Sequence, residues 1–137
     1  MVNIAMPIVH NLSFSKFFFY WLPVLLYCLF IFIQSSLPAS EHLPDFDFSD
    51  KLLHAGAYAV LGLLLYRAFN AMDKRTTTVK MVILSVVLTA LYGASDEVHQ
   101  YFVPSRSAEF LDFAADAIGA ILGTVMALVI FTKRRAR

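Results

Sequence analysis

The sequence has little charge and almost no cysteine. Asp, Glu, Lys and Arg make up 15% of its 137 residues, against roughly 25% in a soluble domain. The basic residues fall in short clusters beside apolar segments, which is not the footprint of a nucleic-acid binder. Cys28 is the only cysteine, so no intrachain disulfide and no cysteine-based metal site can form. It lies inside an apolar run and reads as a small packing residue. Repeats and low-complexity tracts are absent from the sequence. The net charge of +1 says little until the charges are placed along the chain.

What the sequence has is apolar length. Its apolar fraction is 59% and its mean hydropathy +0.68. The excess over a soluble domain is gathered into long runs, and a bilayer takes about 20 residues of helix to cross. Four segments qualify, at about 17–36, 52–69, 79–95 and 110–131. The expected fold is an all-α integral membrane protein, a single domain over 1–137 built as a four-transmembrane-helix bundle. The third segment is the shortest, because its end merges into a polar stretch. The first could be read as a signal peptide, but Lys16 gives a weak basic start and the run is too long, so an uncleaved helix is expected. Pro23 falls in its first two turns, where proline is tolerated most easily.

The basic residues orient the bundle. Lys16, Arg67, Lys74, Arg75, Lys80, Lys133, Arg134, Arg135 and Arg137 fall on one side if the segments alternate, and only Lys51 and Arg106 on the other. The positive-inside rule then places both termini in the cytoplasm. Glu41, Asp45, Asp47, Asp50, Asp96, Glu97, Glu109, Asp112 and Asp116 lie on or near the outer side, and Asp73 alone lies inside. Acids carry little topological weight, so they describe the arrangement rather than prove it.

The outer side therefore holds the polar groups that need explaining. Asp50 and His54 are i,i+4 neighbours at the entrance of segment two, and Lys51, His54 and Tyr58 form one stripe that Gly62 continues. At the exit of segment three, Tyr92, Asp96 and His99 share a helical face, while Glu97 joins Gly93 and Gln100. Val103-Pro104-Ser105-Arg106 reads as a turn. Glu109, Asp112 and Asp116 share a face with Gly119 and Gly123, a Gly-x-x-x-Gly pair. Asp116 is the most telling, because about two turns into an apolar segment a lone carboxylate is either protonated or has a cation partner. Each cluster also has a bland reading. The acids up to Asp50 can be a solvated loop, the glycines a helix-packing face, and the histidines interfacial residues. The remaining charges can form a structural salt-bridge network.

Taken in order, these motifs resemble the VanZ-like family of small membrane proteins. The residues that carry the resemblance are Ser35, Ser36 and Pro38 after segment one; Asp50, Lys51, His54 and Tyr58; Asp96, Glu97, His99 and Gln100; Pro104 and Arg106; Asp112; and Gly119 with Gly123. Asp116 departs from the pattern, since family members often carry Asn there. The resemblance implies a four-helix protein of the bacterial inner (plasma) membrane. The family takes its name from a member linked to low-level teicoplanin resistance, so the resemblance names a family and not a reaction.

Three functional classes are compatible with these residues. The first is a binding module for an anionic envelope lipid or lipid-linked cell-wall intermediate, with Lys51 and Arg106 as the cation pair and Gln100 and Tyr58 as further ligand contacts. Arginine suits phosphate through its planar, bidentate donors. The second is an enzyme acting on a lipid-linked phosphate or glycan, with His54 or His99 as general acid/base and Asp96, Glu97 or Asp112 as its orienting partner. A variant of it would use a divalent metal held by carboxylates and a histidine. No metal site is expected from signatures, because Glu97-Val98-His99 is not Glu-x-x-His and there is no His-Glu-x-x-His; the sequence leaves the cofactor unknown. The third is a structural scaffold. Membrane lipids are the expected partners, nucleic acid is not, and an oligomer is compatible with the sequence. A transporter fits poorly, since four short helices enclose little space.

Overall fold

The computed structural model describes residues 14–38, 49–72, 76–104 and 106–135. They form four helices, α1 (Phe14–Ser35), α2 (Ser49–Met72), α3 (Thr78–Tyr101) and α4 (Phe110–Arg135). All four are long and apolar enough to cross a membrane, so the chain is a multi-pass membrane protein with a helical-bundle fold. Glu41, Asp45, Asp47, Asp73, Lys74, Arg75, Ser105 and Arg137 lie outside the described residues.

Local chemistry sets several of the helix ends. Thr77 caps α3, its hydroxyl accepting from the Lys80 amide at 3.3 Å, which satisfies one of the free donors of the first turn. At the other end of α3, Phe102 and Val103 donate to the carbonyls of His99 and Gln100, and Pro104 follows. Asp50 and Asp112 sit in the first turns of α2 and α4, where the helix dipole favours an anion. The helices extend past several of the apolar runs in the sequence, by three to six residues at an end, and two of these extensions fall at the polar end. α2 begins at Ser49 rather than near Leu52, and α3 continues to Tyr101 rather than ending near Ser95. The cause in α3 is that its last polar residues turn inward: Asp96, Glu97 and Gln100 are buried. Window hydropathy averages over all sides of a helix and does not register which side a polar residue occupies.

The bundle is inside-out relative to a soluble one. Large apolar side chains such as Leu25, Leu29, Ile83, Leu91, Ile121 and Leu122 point outward, as a lipid solvent requires. Small and polar residues line the α2–α4 interface, while Val24, Ile31, Leu61 and Leu65 form an apolar core between α1 and α2. The most extensive pairing is α2 with α4; α3 packs on both, and α1 leans on α2 with only slight contact to α3. Glycines explain how closely α2 and α4 approach. A Cβ on Gly119 would run into the carbonyl of Ala55, and one on Gly123 into the carbonyl of Ala59. A Cβ on Gly62 would lie 2.8 Å from the Ala120 carbonyl oxygen. Without these side chains the backbones meet directly, and packing rather than hydrophobic exclusion holds the pair.

The two ends of the bundle are built differently. At the basic end, Tyr66 of α2, Met81 of α3 and Ala127 of α4 form an apolar plug with Phe69 and Phe131 against it. Arg67 there lies over the rings of Phe19 and Tyr20, at 5.0 and 4.8 Å from their centroids, a cation–π arrangement suited to an interface. At the opposite, polar end, where α1 and α3 finish and α2 and α4 begin, the buried groups are carboxylates.

Candidate functional site

Two carboxylate clusters and a cavity occupy the polar end. The first cluster surrounds Lys51. Its Nζ lies 2.7 Å from Asp50 Oδ2, 2.8 Å from Glu109 Oε2 and 2.9 Å from Asp112 Oδ1. The contact to Asp112 is ionic rather than a well-directed hydrogen bond. Asp50 and Glu109 are half exposed while Asp112 is buried, so the cluster spans from the rim into the α2–α4 interface. The Lys51 ammonium, hydrogen-bonded to the Glu109 carboxylate, holds that carboxyl below its ordinary value.

The second cluster lies one turn deeper. His54 Nδ1 is 2.9 Å from Asp116 Oδ1 and 3.9 Å from Glu97 Oε1. Asp116 is fully buried, and its carboxyl occupies the space left by Gly93, where a Cβ would come within 2.8 Å of Asp116 Oδ2. Glu97 uses its other oxygen to accept from the Glu109 amide at 3.0 Å, which places a negative charge against the first turn of α4. The cluster thus joins α2, α3 and α4 through one imidazole and two carboxylates.

A cavity of about 470 Å³ opens beside it between α1, α2 and α3. Phe30, Ile31 and Leu53 give it apolar walls. Asp50, His54, Tyr58, Asp96, Gln100 and Arg106 give it a polar end. Gln100 Nε2 donates to Asp96 Oδ2 at 3.0 Å, and the Tyr58 ring lies parallel to His54 with centroids 6.5 Å apart. Arg106 closes the rim by donating from Nε to the Leu37 carbonyl at 2.9 Å and from a terminal nitrogen to the Gln34 carbonyl at 3.0 Å. The Gln34 carbonyl, which also accepts from the Leu37 amide at 3.2 Å, lies in the last turn of α1 and the Leu37 carbonyl just beyond it, at the negative end of the helix dipole.

The sequence model of the VanZ/LLP1 family matches residues 9–131, most of the chain. The chain belongs to the VanZ/LLP1 family. No curated protein and no solved structure matches it.

Within this VanZ/LLP1 bundle, the site residues expected from sequence separate into groups. Tyr58, Asp96, Gln100 and Arg106 share the cavity with His54. Lys51 and Asp112 do not line it; they pair with each other in the rim cluster. His99 faces α1 instead: its Nε2 lies 2.9 Å from Ser36 Oγ, and its ring lies against Phe32 at 4.7 Å between centroids. Lys51 and Arg106 therefore have different partners, and among the described residues Arg106 has no acidic one. The grouping that spacing did not reveal is His54 with Glu97 and Asp116. These residues come from three helices, and only the position of Asp116 deep in an apolar run hinted that a cation or proton donor must reach it.

Proposed function

We propose that this chain binds the phosphate-bearing headgroup of an envelope lipid or lipid-linked cell-wall intermediate at the extracytoplasmic end of its bundle, in a bacterial inner membrane. The observation that carries this reading is the amphipathic cavity, with Arg106 at its rim and Phe30, Ile31 and Leu53 along its wall. Arginine has five N–H donors; the α1 carbonyls engage two nitrogens, which leaves donors for a phosphate. Lys51 cannot add much, since three carboxylates surround it. Asp50 and Asp96 on the cavity wall disfavour a purely anionic ligand and favour a headgroup that also carries an amine. Orientation follows from Arg67, Lys80 and Lys133, which sit at the opposite end from this cavity and by the positive-inside rule face the cytoplasm. A link to the glycopeptide response belongs to this reading where the ligand is the cell-wall intermediate.

The test compares lipid retained by wild type, Arg106→Lys and Arg106→Ala, using native mass spectrometry at equal amounts of folded protein. Lysine keeps the charge but not the planar donors, so both variants should retain roughly tenfold less phospholipid, equivalent to about 1.4 kcal/mol. Undiminished lipid on Arg106→Ala would end the proposal.

Two other readings each have an observation in their favour. The His54–Asp116 pair has the form of a general base held by an orienting carboxylate, which favours an enzyme acting on a lipid-linked phosphate or glycan. The Arg106 contacts to α1 favour a scaffold in which the loop pins that helix in place. Under the scaffold reading, Arg106→Ala lowers abundance while the protein that remains keeps its lipid complement.

A further inference from the structure

The deeper cluster has a charge balance that headgroup binding leaves unexplained. Two carboxylates, Glu97 and Asp116, face one imidazole, His54. Glu97 is 8% exposed, and its Oε1 has no hydrogen-bond partner among the described residues although it is aimed at His54. Asp116 is fully buried, and its Oδ2 likewise has none. A buried carboxylate without a counter-charge is strongly unfavourable, the more so within a membrane bundle. The permanent cation of the rim, Lys51, contacts Asp50, Glu109 and Asp112 rather than these two.

We infer that His54, Glu97 and Asp116 form a binding site for one divalent transition-metal ion, with Zn²⁺ as the representative probe. His Nδ1 and one oxygen of each carboxylate all lie within 4.8 Å of one another. Zinc takes imidazole nitrogen and carboxylate oxygen at about 2.0–2.2 Å, which puts tetrahedral donor atoms roughly 3.4 Å apart. The His54–Asp116 and His54–Glu97 separations, 2.9 and 3.9 Å, fall on either side of that spacing, and the Glu97–Asp116 separation is within 4.8 Å, so rotation of the carboxylate side chains brings all three onto one ion. A mixed nitrogen and oxygen donor set favours a first-row ion over the all-oxygen shells of Mg²⁺ and Ca²⁺. The ion's two positive charges neutralise the two carboxylates. Three ligands from α2, α3 and α4 follow the way helical bundles build metal sites from facing helices. The rim cluster supplies the internal contrast: Asp50, Glu109 and Asp112 also converge, but there the cation is the Lys51 ammonium.

The test uses the full chain, purified in detergent through a tag without histidine, stripped with chelator and then given Zn²⁺ alone. Metal per chain after gel filtration and the shift in Tm are both read. Wild type should retain about one zinc per chain and gain thermal stability. Asp116→Asn and Glu97→Gln should each weaken zinc binding at least tenfold, while Glu109→Gln in the rim cluster leaves it unchanged. Wild type that keeps no zinc and shows no Tm shift overturns the inference, and so does zinc retention undiminished in the folded carboxylate variants. If one carboxylate variant does not fold, the other decides. The inference does not rest on headgroup binding: lipid retention measured on the same stripped protein reports on that reading separately.

Discussion

The two ends of this bundle solve the membrane problem in opposite ways. At the basic end, apolar side chains fill the interior around Tyr66, Met81 and Ala127, and charge stays at the surface, as with Arg67 over its aromatic rings. At the polar end, Asp96, Glu97, Asp112 and Asp116 are buried between helices that face lipid on their other sides. An apolar plug there would have held the helices together at lower electrostatic cost, since replacing buried ion pairs by packed apolar residues is often neutral or stabilising. The polar end therefore carries an electrostatic cost that the basic end avoids. Within it, the rim cluster is held by a permanent cation, and the deeper cluster relies on a histidine.

The strongest way to break this contrast is topological. The account puts both termini in the cytoplasm and the polar end outside. A green fluorescent protein fused after Arg137 should be bright and an alkaline phosphatase fused there inactive; an active phosphatase would reverse the orientation and remove the extracytoplasmic site. Next in size is the loss of Lys51. Lys51→Met strands three carboxylates, one of them buried, and should cost about 3 kcal/mol, the low end for breaking a buried pair because two partners are half exposed. Denaturation in detergent would measure it, and adding Asp112→Asn should recover part of the loss. A third comparison sets two glycines of the bundle against each other. Gly123→Ala drives a methyl into the Ala59 carbonyl and should destabilise by about 1–3 kcal/mol. Gly56 has nothing within 4 Å of an added Cβ, so Gly56→Ala should be neutral or stabilising by up to about 1 kcal/mol.

The smallest effect is a pH dependence of the rim. Lys51 depresses the folded carboxyl of Glu109 from its ordinary value of 4.5. A depressed acid contributes stability that is present above the unfolded value and is lost as pH falls through the folded one. Stability should therefore begin to fall below about pH 4.5 in wild type, by less than about 1 kcal/mol for so exposed a pair. Glu109→Gln should flatten that part of the profile. An unchanged profile would mean that Lys51 is committed to Asp50 and Asp112 alone.

Much of the fold was legible in the sequence, because apolar run length is the signal a bilayer imposes. The four helices, the family motifs and the helix-packing role open to Gly119 and Gly123 all appear there. What was not legible was which polar residues meet. Asp96, Glu97 and His99 follow one another on α3 but point three ways: to the cavity, to the deep cluster and to α1. A helical turn advances about 100° per residue, so neighbours in one motif serve different interfaces. Lys51 and Arg106 looked like a pair because they are the two cations on an acidic face. The close approach of α2 and α4 gave Lys51 its carboxylates first, and the end of α1 supplied Arg106 with carbonyls. Neither partner set could be read without knowing which helices touch.

The central claim is that the cavity beside Arg106 selects a phosphate-bearing headgroup. The direct measurement is a competition on the wild-type chain between phosphatidylethanolamine and diacylglycerol of matched acyl chains, offered in equal amounts in mixed micelles and read by native mass spectrometry. The account predicts retention of the phosphatidylethanolamine by roughly tenfold or more, and loss of that preference in Arg106→Ala. Equal retention of the two lipids, with or without Arg106, would show that the cavity holds acyl chains and recognises no headgroup.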